Sequence, residues 1–248
     1  MTQKFGLIGY PLTHSFSRRF FTEKFQQESI DAEYLNFEIP EINRFPDIIS
    51  NTENLKGLNV TIPYKEQIIP FLNEIDDAAK AIGAVNTIRI GHHAKGVVLR
   101  GFNTDVIGFR ESIRPLLQPH HRRALVLGTG GASKAVLFAL KALNIDPVQV
   151  SRTPFNSQSI NYNDLSKEMI DSHTVIVNTT PLGTFPKIDT FPPIPYQWLG
   201  ASHLLYDLVY NPEETAFLRR GKERGVVIKN GLEMLHLQAL AAWEIWNS

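Results

Sequence analysis

Cysteine is absent from the 248 residues. That excludes disulfides, thiolate metal sites and cysteine nucleophiles together, and it fits a reducing compartment such as the cytoplasm. Net charge is missing as well. Basic and acidic residues balance at 25 each, so no broad field awaits a polyanion, and neither nucleic acid nor a membrane surface is an expected partner. No run approaches 18 apolar residues, so no spanning helix is expected. Met1-Thr2-Gln3-Lys4 leads into an extended segment without a signal-like apolar stretch. Repeats and low-complexity linkers are lacking too. The histidine pairs His92-His93 and His120-His121 have no partners at ligand spacing, and no metal site is predicted.

What is present is an alternation of strand and helix patterns, long enough for one large domain or two small ones. The spacing predicts strands over Phe5–Gly9, Ala32–Ile39 and Leu58–Ile62, with helices over Ser17–Ser29 and Glu41–Ser50. Gln67–Leu72 and Asp76–Ile82 read as helical. Val85–Ile90 and Lys95–Arg100 read as a hairpin across Gly91-His92-His93, and Asp105–Leu117 as a helix. A second alternating block follows, with strands near Pro147–Val150, Thr174–Val177, Leu204–Asp207 and Val226–Ile228 and a final helix over Glu233–Trp246. The boundary between the blocks is placed near Asn103, and the class is α/β.

Ala124-Leu-Val-Leu-Gly-Thr-Gly-Gly-Ala-Ser133 is a buried-strand pattern that breaks into glycines and then into a helix over Ala132–Leu143. Strand, glycine turn and helix N-terminus together can seat a pyrophosphate. Gly128 permits the tight turn and Gly130 lets the backbone approach the phosphates, while free helix amides face the anion. Ser133 stands where the usual fingerprint has a third glycine, so the match is partial, and taken alone the turn is equally structural punctuation. About 20 residues past such a turn, NAD-binding folds place a carboxylate for the ribose hydroxyls. Here Ser151-Arg152-Thr153 stands instead. An arginine and two hydroxyls accept a 2′-phosphate that a carboxylate would repel, which favours NADP over NAD. The alternative is a solvated basic turn.

Three segments of the first block carry polar groups at strand ends. Ser15 and Ser17 lie two apart in Gly9-Tyr-Pro-Leu-Thr-His-Ser-Phe-Ser17, where they can either hold a carboxylate or cap a helix. Next to them, His14 reads as an ordinary packed or surface imidazole. Asn59 and Thr61 are placed on one face of their strand, and Lys65 follows Pro63 just past its carboxyl end, where ligands gather in open α/β sheets. Alone, that lysine is equally a solvated loop residue. Asn86-Thr87 and Asn103-Thr104-Asp105 supply amide, hydroxyl and carboxylate groups, and the latter can equally cap a helix.

In order and over nearly the whole chain, from Phe5 to about Trp243, these segments resemble the shikimate dehydrogenase family. The resemblance implies NADP-dependent, reversible reduction of 3-dehydroshikimate to shikimate, a step toward chorismate and the aromatic amino acids. It implies that Ser15 and Ser17 hold the substrate carboxylate and that Thr61, Asn86 and Asp105 bind ring hydroxyls. Tyr210 and Gln238 would also contact the substrate, and Lys65 with Asp105 would form the catalytic pair. The implied cofactor residues are Gly128, Thr129, Gly130, Gly131, Ala132 and Ser133, then Ser151, Arg152 and Thr153, with Thr179, Leu208 and Gly231 near the nicotinamide. The implied architecture is a substrate-binding and catalytic domain over 1–103, completed by 232–248 returning at the end. A Rossmann-like, doubly wound NADP-binding domain would occupy 104–231. A cytoplasmic monomer or homodimer that closes on its ligands is expected.

The chain departs from the family pattern at several places. No second arginine follows Thr153, Tyr10 stands where asparagine is common and Val106 where glycine is common, and the chain ends soon after the last helix. The lone arginine leaves NAD use open. A quinate/shikimate dehydrogenase of broader range, a methylenetetrahydrofolate dehydrogenase and a non-catalytic dinucleotide-sensing module are the rival readings. The Ser15/Ser17 pair and Gln238 argue against the second, and the Lys65/Asp105 pair against the third. In the favoured mechanism Lys65 donates the proton that hydride addition to a ketone requires, and Asp105 orients it.

Overall fold

A computed structural model describes residues 1–12, 16–94, 96–154 and 159–248. The chain forms two compact units, one of residues 1–104 with 239–248 and one of residues 105–238. The first division thus falls one residue past the expected boundary. The second falls inside the last helix, after Gln238 and not after Gly231.

The first unit is built on a six-stranded sheet. Its strands are β1 (Gln3–Gly9), β2 (Ala32–Glu38), β3 (Leu55–Val60), β4 (Glu74–Ile75), β5 (Thr87–His93) and β6 (Gly96–Phe102), in the order β2-β1-β3-β5-β6-β4. β1 lies parallel to β2 and β3, whereas β5 runs antiparallel to both β3 and β6. Side chains alternate across the sheet, so Phe5 and Leu7 belong to one core and Ile8 to another. The first core is aromatic. It joins Phe21 and Phe25 of α1 (Phe16–Gln27) to Ala239, Ala242 and Trp246 of α8 (Leu232–Trp246). Trp246 fixes the end of α8, since its Nε1 donates to Ile88 O at 3.0 Å and its ring occupies the space a side chain at Gly57 would need. The second core collects Leu58, Val60, Val85 and Ile88 with Phe45 and Ile48 of α2 (Phe45–Asn51) and Ala79 of α3 (Asp77–Ile82).

The second unit holds β7 (Arg123–Leu127), β8 (Asp146–Ser151), β9 (Ser159–Asn161), β10 (Val175–Asn178), β11 (Leu204–Asp207) and β12 (Val227–Lys229). Their order is β12-β11-β10-β7-β8-β9, and every pairing is parallel. Strand order reverses beside β7, the topological switch point at which doubly wound sheets bind ligands. Its helices are α4 (Asp105–Ile113), α5 (Gly131–Ala142), α6 (Lys167–Ser172), α7 (Ala216–Lys222) and the first part of α8. β7, β10 and β11 are continuous apolar runs from Ala124, Val175 and Leu204, as strands covered on both faces must be.

Several boundaries differ from expectation, and proline explains most of them. Glu41–Ser50 is not one helix; a 3₁₀ turn over Ile42–Arg44 precedes α2, which carries Pro46 in its first turn. Gln67–Leu72 shrinks to a 3₁₀ turn at Ile69–Phe71 around Pro70, and the helix expected to reach Leu117 ends at Ile113 before Pro115. β3 starts earlier than expected and stops at Val60, so Thr61 lies beyond the strand. The hairpin turn is not at Gly91-His92-His93. Those residues continue β5 opposite Gly96, Val97 and Val98, and Gly96 at φ 127° takes the left-handed backbone the turn requires. β9, α6 and α7 are additions that the apolar spacing did not signal.

Candidate active site

In the first unit the relevant groups gather around the carboxyl ends of β1 and β3. Thr61 N donates to Ile8 O at 2.9 Å and Tyr10 N to Ile62 O at 3.1 Å, which ties the two exits together. The tie is close: a side chain at Gly9 would come within 2.4 Å of Thr61 and 2.7 Å of Leu12. Lys65 is half-buried after Pro63, and its carbonyl accepts from Val85 N at 2.7 Å, next to Asn86. Asn86 is buried and fixed by Thr104, whose N–H donates to Oδ1 at 2.7 Å and whose Oγ1 accepts from Nδ2 at 3.0 Å. Neighbouring Asn103 donates to Ala84 O at 2.9 Å. The structure therefore brings Thr61, Lys65 and Asn86 to linked strand ends on a polar frame whose rotamers are already set. Ser17 lies in the first turn of α1, while Ser15 is outside the described residues.

In the second unit the glycine turn has the form its sequence promised. Gly128 sits at φ 115°, and an added Cβ would meet Thr179 Oγ1 at 2.7 Å. Thr129 and Gly130 are exposed, nothing lies within 4 Å of the side-chain position of Gly130, and α5 begins at Gly131, with Ala132 next. An anion-accepting helix start with an open approach fits a dinucleotide pyrophosphate. Ser133 is fully buried and braces the turn: its hydroxyl donates to Gly130 O at 2.6 Å. Gln149 of β8 donates to the same hydroxyl at 3.1 Å and to Gly128 O at 2.7 Å. Where β8 ends, Ser151 Oγ accepts from Thr153 N, and Arg152 and Thr153 are exposed. Asn161 of β9 holds the Arg152 carbonyl at 2.7 Å, so the cationic turn is anchored by its backbone with its side chain presented to solvent.

A buried carboxylate organises the next two strand ends. Asp207, fully buried, accepts from Asn178 Nδ2 (2.9 Å), Val209 N (3.0 Å) and Thr215 Oγ1 (2.6 Å). Burial pushes its carboxyl up to about 6, against the opposing pull of those three donors. Asn178 Oδ1 in turn accepts from Thr180 N and Oγ1, while Thr179 donates to Leu127 O through both its N–H and its hydroxyl. Leu208 N donates to Asn178 O, and Gly231 is packed so tightly on Leu208 that no side chain fits there. Thr179, Leu208 and Gly231 are thereby joined to the glycine turn. Asp105, 7% exposed, opens α4. Tyr210 is half-buried, and Gln238 is buried on α8, where Gly108 of α4 lets the two helices touch.

Asp207, Asn178, Thr215 and Gln149 support the site without having been singled out. Two of them had a signal: an aspartate closing the apolar run Leu204-Leu-Tyr, and a glutamine inside the strand Pro147-Val-Gln-Val150. Of the histidine pairs, His120 and His121 both reach Ser202 O, at 3.0 and 3.3 Å.

Comparison with known proteins shows the family of the chain. The profile of the shikimate dehydrogenase substrate binding domain matches residues 7–88. The chain is 36% identical to a shikimate dehydrogenase (NADP(+)) of Methanosphaera stadtmanae, over 97% of this chain and 90% of that protein. Among solved structures, the shikimate dehydrogenase of Aquifex aeolicus superposes with a TM-score of 0.84 at 35% identity, covering 99% of this chain and 92% of that one. The Thermus thermophilus enzyme, solved in complex with NADP(H) and shikimate, gives 0.84 at 29% identity, covering 99% and 93%. The two-unit α/β fold and whole-length identity above 30% place this chain in the shikimate dehydrogenase family of NADP(+)-dependent oxidoreductases.

Proposed function

We propose that this protein interconverts 3-dehydroshikimate and shikimate with NADPH and NADP(+), in the biosynthesis of chorismate and aromatic amino acids. The whole-length likeness to NADP(+)-dependent shikimate dehydrogenases is the observation that carries this reading. Residues 1–104 with the end of α8 serve as the substrate-binding and catalytic domain, and the parallel-sheet unit takes the dinucleotide. We place the protein in the cytoplasm, as a monomer or homodimer. No helix among the described residues is long and apolar enough to cross a membrane.

NADPH, when bound, supplies a hydride to the ketone carbon. Its pyrophosphate belongs at Gly128–Ser133, its 2′-phosphate at Ser151-Arg152-Thr153, and its nicotinamide near Thr179, Leu208 and Gly231. Ser15 and Ser17 hold the substrate carboxylate, while Thr61, Asn86 and Asp105 hold ring hydroxyls. Tyr210 and Gln238 complete the orientation of the ring. As the carbon is reduced, negative charge grows on its oxygen, and the Lys65 ammonium gives that oxygen a proton. Asp105 orients the lysine and a neighbouring hydroxyl. In the oxidation direction the neutral amine takes the proton back. The fixed rotamer of Asn86 and the tether from Val85 to Lys65 support this assignment, since preset groups lose little entropy when a ring is bound.

The test is an absorbance assay of reduced nicotinamide with purified protein, shikimate or quinate, and NADP(+) or NAD(+). Turnover of shikimate with NADP(+) at the highest kcat/KM is expected. Dinucleotide binding without shikimate turnover would overturn the reading in favour of a sensing module.

A further inference from the structure

Tyr34 of β2 is 4% exposed inside the aromatic core, its ring stacked on Phe21 with centroids 4.9 Å apart. A phenylalanine would pack there equally well, so the hydroxyl calls for an explanation. It donates to Asn59 Oδ1 at 2.7 Å, and the Ser17 side chain hydrogen-bonds to it from α1. Asn59, itself 5% exposed, turns its Nδ2 toward Asn86 O (3.4 Å) and Thr87 Oγ1 (3.3 Å). Thr87 Oγ1 donates on to Asn86 Oδ1 at 3.2 Å. A polar chain thus crosses the sheet beneath the strand ends, from Ser17 through Tyr34, Asn59 and Thr87 to Asn86.

We propose that Tyr34 is a positioning residue, whose one hydroxyl sets Ser17 for the substrate carboxylate and, through Asn59, Asn86 for a ring hydroxyl. The proposal rests on the roles given above to Ser17 and Asn86. A cyclic acid must be held at both its carboxylate and its hydroxyl side, and a rigid phenol clamped by Phe21 and Trp246 fixes the spacing between the groups that do so. Burial raises the Tyr34 hydroxyl above its ordinary range, which keeps it a neutral donor at any working pH. Asparagine and hydroxyl partners buried together hold one arrangement because any other leaves a polar atom unmatched.

Tyr34→Phe removes the hydroxyl and leaves the ring, so steady-state kinetics of the intact protein read its effect directly. The KM for shikimate rises about three- to tenfold, the factor associated with one neutral hydrogen bond. The kcat stays within about twofold and the KM for NADP(+) does not move. Combined with Ser17→Ala, the loss is smaller than the product of the single losses, because both act on one contact. A merely structural hydroxyl lowers the unfolding temperature and leaves the shikimate KM alone; that result overturns the proposal, as does an equal rise in both KM values. Wild-type kinetics in Tyr34→Phe beside a damaged Ser17→Ala defeat this inference alone. An undamaged Ser17→Ala defeats the assignment of the serine as well.

Discussion

Gln149 Nε2 donates to the Gly128 carbonyl at 2.7 Å, so a side chain of β8 holds the glycine turn that follows β7. The same amide reaches Ser133 Oγ, and Ser133 reaches Gly130 O, which makes the turn a closed brace that does not depend on glycine stiffness. Gln149→Leu keeps the volume and removes both bonds. It is expected to raise the KM for NADP(+) about fivefold, the scale of one lost hydrogen bond, and to leave the KM for shikimate unchanged. Titration of NADPH by fluorescence, alongside shikimate saturation curves, checks the asymmetry.

Lys65 and Asp105 carry the proton chemistry in the proposed mechanism. Lys65→Ala should lower kcat by at least about 100-fold with little change in KM, the usual scale for a positioned acid–base group. Asp105→Asn should be comparably severe. A loss confined to the KM of shikimate would instead make Lys65 a binding group.

Arg152 presents its side chain to solvent from a turn pinned by Asn161. Arg152→Ala should raise the KM for NADP(+) about tenfold or more, since a charge-assisted contact exceeds a neutral one. The KM for NAD(+) should stay as it was. Equal effects on the two cofactors would remove the 2′-phosphate from this turn.

Asp207 links stability to pH. Its carboxyl is raised from 3.8 to about 6 in the folded protein, so folding draws in a proton between those values. Its contribution is therefore fully present below about pH 4 and is lost as pH rises through 6. The difference approaches 3 kcal/mol at roughly 1.4 kcal/mol per unit. Urea midpoints at pH 5 and pH 8 should differ less in Asp207→Asn than in the wild type. The asparagine is accommodated because the Thr215 hydroxyl can accept where it formerly donated. Identical pH slopes in the two proteins would rule out this linkage.

Much of the architecture could be read from residue order. Apolar runs at Ala124–Leu127 and Leu204–Tyr206 announced strands covered on both faces, and Gly128-Thr-Gly-Gly131 announced the turn from β7 into α5. Elements with weak periodicity were not visible. β9 is three residues long, and α6 and α7 are six and seven, too short for a helical repeat to show. The hairpin turn was misplaced because two histidines after a glycine look like loop, whereas register against Val97 and Gly96 decides that they are strand.

The candidate site divides in the same way. Lys65, Asn86, Arg152 and the glycines could be placed beside chain-local markers, a proline, a strand end or a turn, while the choice among their possible roles came only from the family resemblance. What Tyr34, Asp207 and Gln149 hold was not visible, since their partners Asn59, Asn178 and Gly128 lie 21 to 29 positions away on other strands or turns. The amino-acid order by itself determined which groups were available, where strands stopped and that no thiol or charge excess would intervene, because those are properties of neighbours along the chain. Only the tertiary structure decided which hydroxyl faces which amide, because hydrogen bonds are directional over about 3 Å and sequence spacing carries no direction.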